Sequence, residues 1–252
     1  MSIQDVINYW NTRPCNIKHS NKVIGSKEYF NEVSERKYKV EPHIIDFANF
    51  KKYNEKEVLE VGCGIGTAAQ SFIENGAIYK GIDISEESIK IARQRLDIFH
   101  LNGTLEINNI EEMIKNNNQY DLIYSFGVLH HTPDIKKAIE NIYNMLKDNG
   151  EFKLMLYAKN SWKNYSINDK LDQYEAQSNV PIAYTYSNDD IYKLLEKFFN
   201  IKIIQTHIFP YKINEYKNYE YVKENYFECM SKELFECLEK NLGWHLCITC
   251  NK

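Results

Sequence analysis

Three stretches of this 252-residue chain hold side chains whose types and spacing can do chemistry. Residues 58–67 read V-L-E-V-G-C-G-I-G-T: an apolar run, an acid at Glu60, then Gly62, Gly64 and Gly66 at alternate positions. Glycine reaches turn geometries closed to other residues and has no Cβ to hold a ligand off. Such a backbone can bring main-chain N–H groups against a polar ligand. The dinucleotide fingerprint G-x-G-x-x-G serves a pyrophosphate. Here the third glycine comes one residue early, and the Glu60 carboxylate would repel a pyrophosphate while suiting a cationic ligand. The second stretch, residues 120–134, reads Y-D-L-I-Y-S-F-G-V-L-H-H-T-P-D. Its paired His130 and His131 follow an apolar strand and suit proton transfer, because imidazole titrates near neutral pH. An acceptor that is already anionic needs no base, and the pair would then bind it or shape the cleft. The third stretch, residues 10–20, reads W-N-T-R-P-C-N-I-K-H-S and brings Trp10, Arg13, Lys18 and His19 close together. Residues 13–40 hold seven Lys/Arg and three Asp/Glu, a local excess of +4 in a chain of net charge −4. Arg13 could clamp an anion bidentately. The alternative is a solvated N-terminal arm.

These residues need elements to position them. From Val58 the chain alternates strand and helix signals. Strands are expected at Val58–Val61, Ile78–Ile84, Thr104–Ile107, Leu122–Phe126, Phe152–Tyr157, Ile201–Phe209 and Trp244–Thr249. Between them, Thr67–Glu74 reads as a helix closed by Asn75 and Gly76. Ser85 caps a helix with Ile89, Ala92 and Leu96 on one face. Thr132 and Pro133 open another, which Asn149 and Gly150 stop. Ser187 to Asp190 forms a capping box. Residues 214–241 read as helical, and 159–186 as polar and aromatic without clear period. Strands alternating with helices imply an α/β fold: a seven-stranded, mostly parallel sheet covered on both faces. Residues 1–55 precede the first strand as three helices, with Ile3, Val6, Ile7 and Trp10 on one face of the first. They are expected to act as a lid on a core of residues 56–252, with insertions at 159–186 and 214–241. Asp83 ends the second strand, at the sheet edge where ligands bind in such folds. It would accept two ribose hydroxyls there, or simply be a turn acid beside Ser85.

The E-x-G-x-G-x-G pattern resembles motif I of the class I S-adenosylmethionine (SAM) dependent methyltransferases. Leu129 to Asp134 resembles the L-H-H-x-x-D stretch of small-molecule O-methyltransferases, several of which act on sugars. The N/D-P-P-Y motif of enzymes that methylate nitrogen in nucleobases or glutamine is absent. The resemblance is specific over residues 56–160 and otherwise rests on element order. It implies SAM as cofactor, whose ammonium and sulfonium suit Glu60. The residues implied to hold it are Glu60, Gly62, Cys63, Gly64, Gly66, Thr67, Asp83, Ile84, Asn109, Ile110, Ser125, Phe126 and Gly127. Methyl transfer is an in-line displacement in which positioning supplies most of the acceleration. His130 or His131 would act as general base. Trp10, Arg13, Lys18, His19, Trp162 and Tyr165 would meet the acceptor, and Tyr29 or Tyr38 would close over the methionine part of SAM. Tyr174, Tyr184 and Tyr186 belong to the same aromatic segment, which would wall the acceptor site.

The leading expectation is an O-methyltransferase of a small, polar, anionic metabolite such as a sugar, nucleotide sugar or phosphate-bearing precursor. The alternatives are N- or C-methylation of a small molecule, and a SAM-binding regulatory protein without chemistry. Composition is that of an ordinary globular protein, with 43% hydrophobic and 26% charged residues. Neither nucleic acid nor an anionic membrane is suggested by net charge. No apolar run of 18 residues appears, and residues 1–25 lack the apolar core of a signal peptide, so a cytoplasmic monomer or homodimer is expected. Six cysteines show no disulfide-framework spacing. Cys247 and Cys250 form a C-x-x-C within an expected strand, where alternation turns them to opposite faces. They read as packing residues, and no metal-ligand set is expected.

Overall fold

The computed structural model describes residues 2–112, 119–168 and 180–252, so Tyr174 lies outside the described residues. The central sheet contains β1 (Glu57–Val61), β2 (Ile78–Asp83), β3 (Thr104–Ile107), β4 (Tyr120–Phe126), β5 (Leu146–Ala158), β6 (Thr185–Tyr186), β7 (Phe199–Thr206) and β8 (His245–Asn251). Its order is β3-β2-β1-β4-β5-β8-β7, with short β6 beside the end of β5. The first five strands pair in parallel. β8 runs antiparallel between β5 and β7. This is the expected mostly parallel α/β architecture, with β6 as an addition inside the segment read as aperiodic.

The helices are α1 (Ile3–Thr12), α2 (Lys27–Val40), α3 (His43–Ala48), α4 (Thr67–Glu74), α5 (Glu86–Ile98), α6 (Ile135–Met145), α7 (Trp162–Asn168), α8 (Asn188–Leu194), α9 (Ile213–Lys217), α10 (Asn225–Glu228) and α11 (Lys232–Leu242). Side chains of a parallel strand alternate between two covered faces. Val58 accordingly packs with Ala69 and Phe72 of α4 and Ile89 and Ala92 of α5. Leu59 and Val61 pack on the other face with Ile139 and Ile142 of α6 and Ile191 of α8. Each such buried side chain contributes roughly 1.5–3 kcal/mol. Cys247 joins Met155, Tyr157 and Trp244 on one face, while Cys250 enters the core on the other, as alternation requires.

Among the boundaries that differ from the sequence reading, four have a local reason. Asp134, not Thr132, caps α6, accepting from the Lys137 N–H at 3.1 Å. The Thr132 hydroxyl instead donates to the Leu129 carbonyl at 2.7 Å, within the short 3-10 turn Leu129–His131. α6 ends at Met145, before Asn149, because Leu146 already pairs with Tyr120 of β4. β7 stops at Thr206, and the apolar residues Ile208 and Phe209 that prolonged the strand reading line a cavity instead. The 214–241 segment is three helices joined by loops rather than one continuous helical stretch.

The N-terminal helices are tied to the C-terminal half. Arg36 of α2 is buried; its guanidinium lies 3.9 Å from the ring centre of Tyr216 and 4.4 Å from that of Tyr219. It also donates to the Tyr216 carbonyl, 180 residues away. No helix among the described residues is long and apolar enough to cross a membrane.

Candidate functional site

The chain builds β1, β2 and β3 outward in one direction, then returns to place β4 on the other side of β1. Loops leaving the carboxyl ends of β1 and β4 therefore diverge, and a cleft opens between them. This cleft encloses about 1050 Å³ including the solvent at its mouth. Glu60, Gly62, Cys63, Gly64, Thr67, Asp83, Ile84, Asn109, Ile110, Phe126 and Gly127 line it, together with Trp10 and His131.

The glycine loop works differently from the expectation that its N–H groups face a ligand. Gly62 and Cys63 both donate to the Ile82 carbonyl, Gly66 to the Cys63 carbonyl, and Gly64 to the Asp83 carboxylate at 2.8 Å. What the glycines provide is space. Gly64, at φ 53°, has nothing within 4 Å of where a Cβ would stand, so its open side faces the cleft. A Cβ on Gly62 would strike Val128 of the neighbouring loop. Gly66 does not line the cleft: it precedes α4 at φ 81°, and a Cβ there would meet Ala92 of α5 at 3.3 Å. Its role is helix-to-helix approach. Ser125 is also absent from the cleft wall, being wholly buried within β4.

Two carboxylates define the cleft's polarity. Asp83 accepts from the Gly64 N–H and, at 2.9 Å, from the Ser85 N–H, which holds it rigidly at the end of β2. Burial raises its pKa against the lowering effect of these hydrogen bonds. Glu60 is buried and accepts from the Tyr79 hydroxyl at 2.5 Å. Burial pushes its carboxyl up to about 7, while Tyr79 and the Lys37 ammonium pull it down. Lys37 comes from α2, lines the same cleft, and was not singled out in the sequence because it sits in a helix of mixed charge, with four basic and three acidic residues. Asn109 caps its own turn through the Glu111 N–H at 3.0 Å, with Asn108 and Ile110 beside it in the wall.

The two histidines separate in role. His131 lies in the cleft wall, with Trp10 of α1 against it at 5.3 Å between ring centres. Its Nδ1 is 2.5 Å from the Ile182 carbonyl, and a carbonyl can only accept. Nδ1 therefore carries the proton, and Nε2 is left as a lone pair with no partner among the described residues. Burial pushes this imidazole down to about 4, so it is neutral at pH 7. His130 is fully buried, stacked on Tyr157 at 3.7 Å, and lies outside the cleft wall.

The acceptor-side residues divide three ways. Trp10 is in the cleft. His19 and Trp162 line a second cavity with Lys37, Lys163, Glu41, His207 and Trp244. Lys37 is common to both spaces, and Phe126 stands between the cleft and His43 and His245 behind it. The remainder lie elsewhere. Arg13, Lys18 and Tyr165 are exposed and line neither cavity. Tyr29 is a core residue, packed with Phe30, Val33 and Ile91 and donating to the Ile17 carbonyl at 2.9 Å. Its helical spacing with Phe30 and Val33 was the signal for that outcome. Tyr38 packs on the core near α4, its hydroxyl 2.9 Å from that of Ser71. Neither tyrosine reaches the cleft.

Residues 59–152 match a family described as a methyltransferase domain. Over 96 residues the chain is 33% identical to a ubiquinone biosynthesis O-methyltransferase of Coxiella burnetii, covering 38% of this chain and 41% of that protein. A protein of the same name from Glaesserella parasuis is 33% identical over 100 residues, covering 38% and 42%. The chain thus matches about two fifths of the length of these curated relatives. Among solved structures, a magnesium protoporphyrin IX methyltransferase from Synechocystis with bound S-adenosylhomocysteine aligns over 100% of both chains, with TM-score 0.63 and 14% identity. A SAM-dependent methyltransferase from Mesorhizobium loti aligns over 82% of this chain and 96% of its own, with TM-score 0.55 and 15% identity. The fold is that of a class I methyltransferase. Within this methyltransferase fold the matched segment contains the glycine loop, Asp83 and both histidines, whereas the second cavity draws mostly on residues outside it.

Proposed function

We propose that the protein transfers a methyl group from SAM to an oxygen of a small anionic acceptor, with SAM in the cleft and the acceptor reaching it from the second cavity. The observation that carries this reading is the pairing of Asp83 with the open side of Gly64. A carboxylate held by two backbone N–H groups keeps lone pairs for the two ribose hydroxyls, and Gly64 leaves room for the ligand to approach. Glu60 suits the ammonium of the methionyl group. Asn109 and Ile110 suit the edge and face of the adenine. SAM, when bound, supplies a methyl carbon made electrophilic by its sulfonium.

The chain's own part is to orient the acceptor and remove its proton. His131 is in the base form at neutral pH, with its tautomer fixed by Ile182 and its Nε2 lone pair available. That atom can take the proton of an acceptor hydroxyl as the C–O bond forms. Acceptor recognition is assigned to the second cavity. Lys37 and Lys163 line it, and the Trp244 Nε1–H and His19 Nδ1 are buried there without hydrogen-bond partners among the described residues. Those groups suit an acid or phosphate, and the rings of Trp162 and Trp244 suit the flat face of a sugar or aromatic ring. Oxygen as the methylated atom is supported by the O-methyltransferase names of the relatives matched over the cofactor half.

Calorimetry with SAM and NAD tests the cofactor, and NMR of products carrying a labelled methyl tests the acceptor atom. Binding of NAD in preference to SAM overturns the whole reading. A labelled N-methyl or C-methyl product overturns the oxygen assignment alone.

A further inference from the structure

Three residues from distant parts of the chain converge beside the second cavity. Glu41 caps the carboxyl end of α2, His207 follows β7, and His245 begins β8. One ligand atom from each, a carboxylate oxygen and two imidazole nitrogens, lies within 4.8 Å of the others. The His245 Nε2 to Glu41 Oε1 distance is 3.7 Å. Donors around a zinc-type ion at 2.0–2.2 Å stand roughly 3.4 Å apart, so side-chain adjustment of an ångström or so closes the set.

The surroundings admit the donors in the form a metal requires. The other nitrogen of His245, Nδ1, lies 3.0 Å from Nε2 of His43. With Nδ1–H donating to His43, the Nε2 lone pair of His245 turns toward Glu41, the arrangement in which a ligating imidazole is held by a second hydrogen bond. His207 is held at φ 73°, in the left-handed region, where its carbonyl accepts from the Trp244 N–H at 2.7 Å. That backbone turn brings it into the cavity rather than along the sheet.

We propose that Glu41, His207 and His245 bind one divalent transition-metal ion, with His43 as the positioning residue and the remaining coordination positions open to the second cavity. Two imidazoles and one carboxylate select zinc, cobalt, nickel, iron(II) or manganese over calcium or magnesium. Three protein ligands beside a cavity form an open site rather than a closed structural one. Lys37 and Lys163 line the same cavity and oppose a second cation, so affinity should rise when an anion bridges the ion and these ammonium groups. Only that last statement rests on the acceptor assignment above.

The test uses tag-free, chelator-treated full-length protein titrated with zinc and with cobalt(II), read by elemental analysis and by visible cobalt bands. We expect one equivalent per chain. His207→Ala, His245→Ala and Glu41→Gln should each weaken binding at least about 100-fold, and His43→Ala about 10- to 100-fold. His100→Asn, at an exposed histidine that lines neither cavity, should bind as the parent does. Circular dichroism and SAM calorimetry on each variant separate lost ligation from lost folding. Substoichiometric metal on the parent protein, or unchanged binding in folded His207→Ala and Glu41→Gln, overturns the site. Metal binding without SAM binding would instead overturn the methyltransferase reading and leave the site standing.

Discussion

The two cavities lie side by side and share Lys37, yet the chain builds them in opposite ways. The cleft comes from consecutive strand–loop–helix units, β1 to α4, β2 to α5 and β4 to α6, and its polar groups hold one another in place. The second cavity is assembled from α2, α7, the end of β7 and the start of β8, segments up to about 200 residues apart. Among the described residues both spaces keep buried polar atoms unpartnered: His131 Nε2 and the Thr67 hydroxyl in the cleft, His19 Nδ1 and the Trp244 indole N–H in the second cavity. The cleft also holds the Asp83 carboxylate, already fixed by backbone N–H groups. The second cavity instead offers an indole donor that calls for an acceptor from the ligand, because an unpaired buried donor costs about 1–3 kcal/mol.

This division can be broken by substitution, and the largest effect is expected at the proposed base in the cleft wall. His131→Ala should lower turnover about 100- to 10,000-fold while changing SAM affinity less than about threefold, compared by steady-state kinetics and calorimetry. His130→Ala should act mainly on thermal stability, through the lost stack on Tyr157. Equal loss of turnover in two folded variants would undo the distinction. On the cleft side, Asp83→Ala should weaken SAM binding about 100-fold, since it removes a carboxylate and leaves the Gly64 and Ser85 N–H groups unpaired. On the cavity side, Trp162→Ala should raise the acceptor KM about tenfold and leave the SAM Kd unchanged. A shift in the SAM Kd would show that the two spaces act as one.

Protons sharpen the contrast more gently. His131 is pushed down to about 4 and His19, in the second cavity, to about 3, both by burial from the usual 6.5. Between those values and 6.5 the unfolded chain binds more protons than the folded one. Stability should therefore fall as pH is lowered from 6.5 toward 4, visible as a falling urea midpoint. Glu60 acts with the opposite sign. Its folded pKa of about 7 exceeds the usual 4.5, so it favours the folded chain toward acid. The buried histidines outnumber it. Bringing the SAM ammonium beside Glu60 should release part of a proton near pH 7, measured as a dependence of binding enthalpy on buffer ionisation. Uptake instead of release would remove Glu60 from the ammonium site.

Much of the cleft was legible because its signals are contiguous. Glycines after a strand, an acid at the end of the next strand and histidines after β4 each fall within a few residues of the element that aims them. Gly66 and Ser125 misled because neighbours in a motif need not share a wall: one packs α4 on α5, the other is buried within β4 and absent from the cleft wall. The second cavity was mostly illegible. Lys37 and Glu41 looked like ordinary helix charges, and Ile208 and Phe209 looked like more of β7. No local pattern announces that His207 turns into the left-handed region and meets His245, since that contact depends on β8 pairing with β7. Tyr29 erred the other way: an aromatic near the N-terminus invited a functional role, while its spacing with Phe30 and Val33 marked a core face.

The grip of Tyr216 and Tyr219 on Arg36 also sets an order of assembly. Arg36 leaves the ribosome 180 residues ahead of Tyr216, an interval of roughly 10–40 s at ordinary elongation rates. Through that interval α2 carries Lys37 and Glu41 without the rings that seat it. The nascent chain therefore completes the strands and loops of its cleft before a second cavity exists. The second cavity closes only once β8 enters between β5 and β7 and brings Trp244 to it.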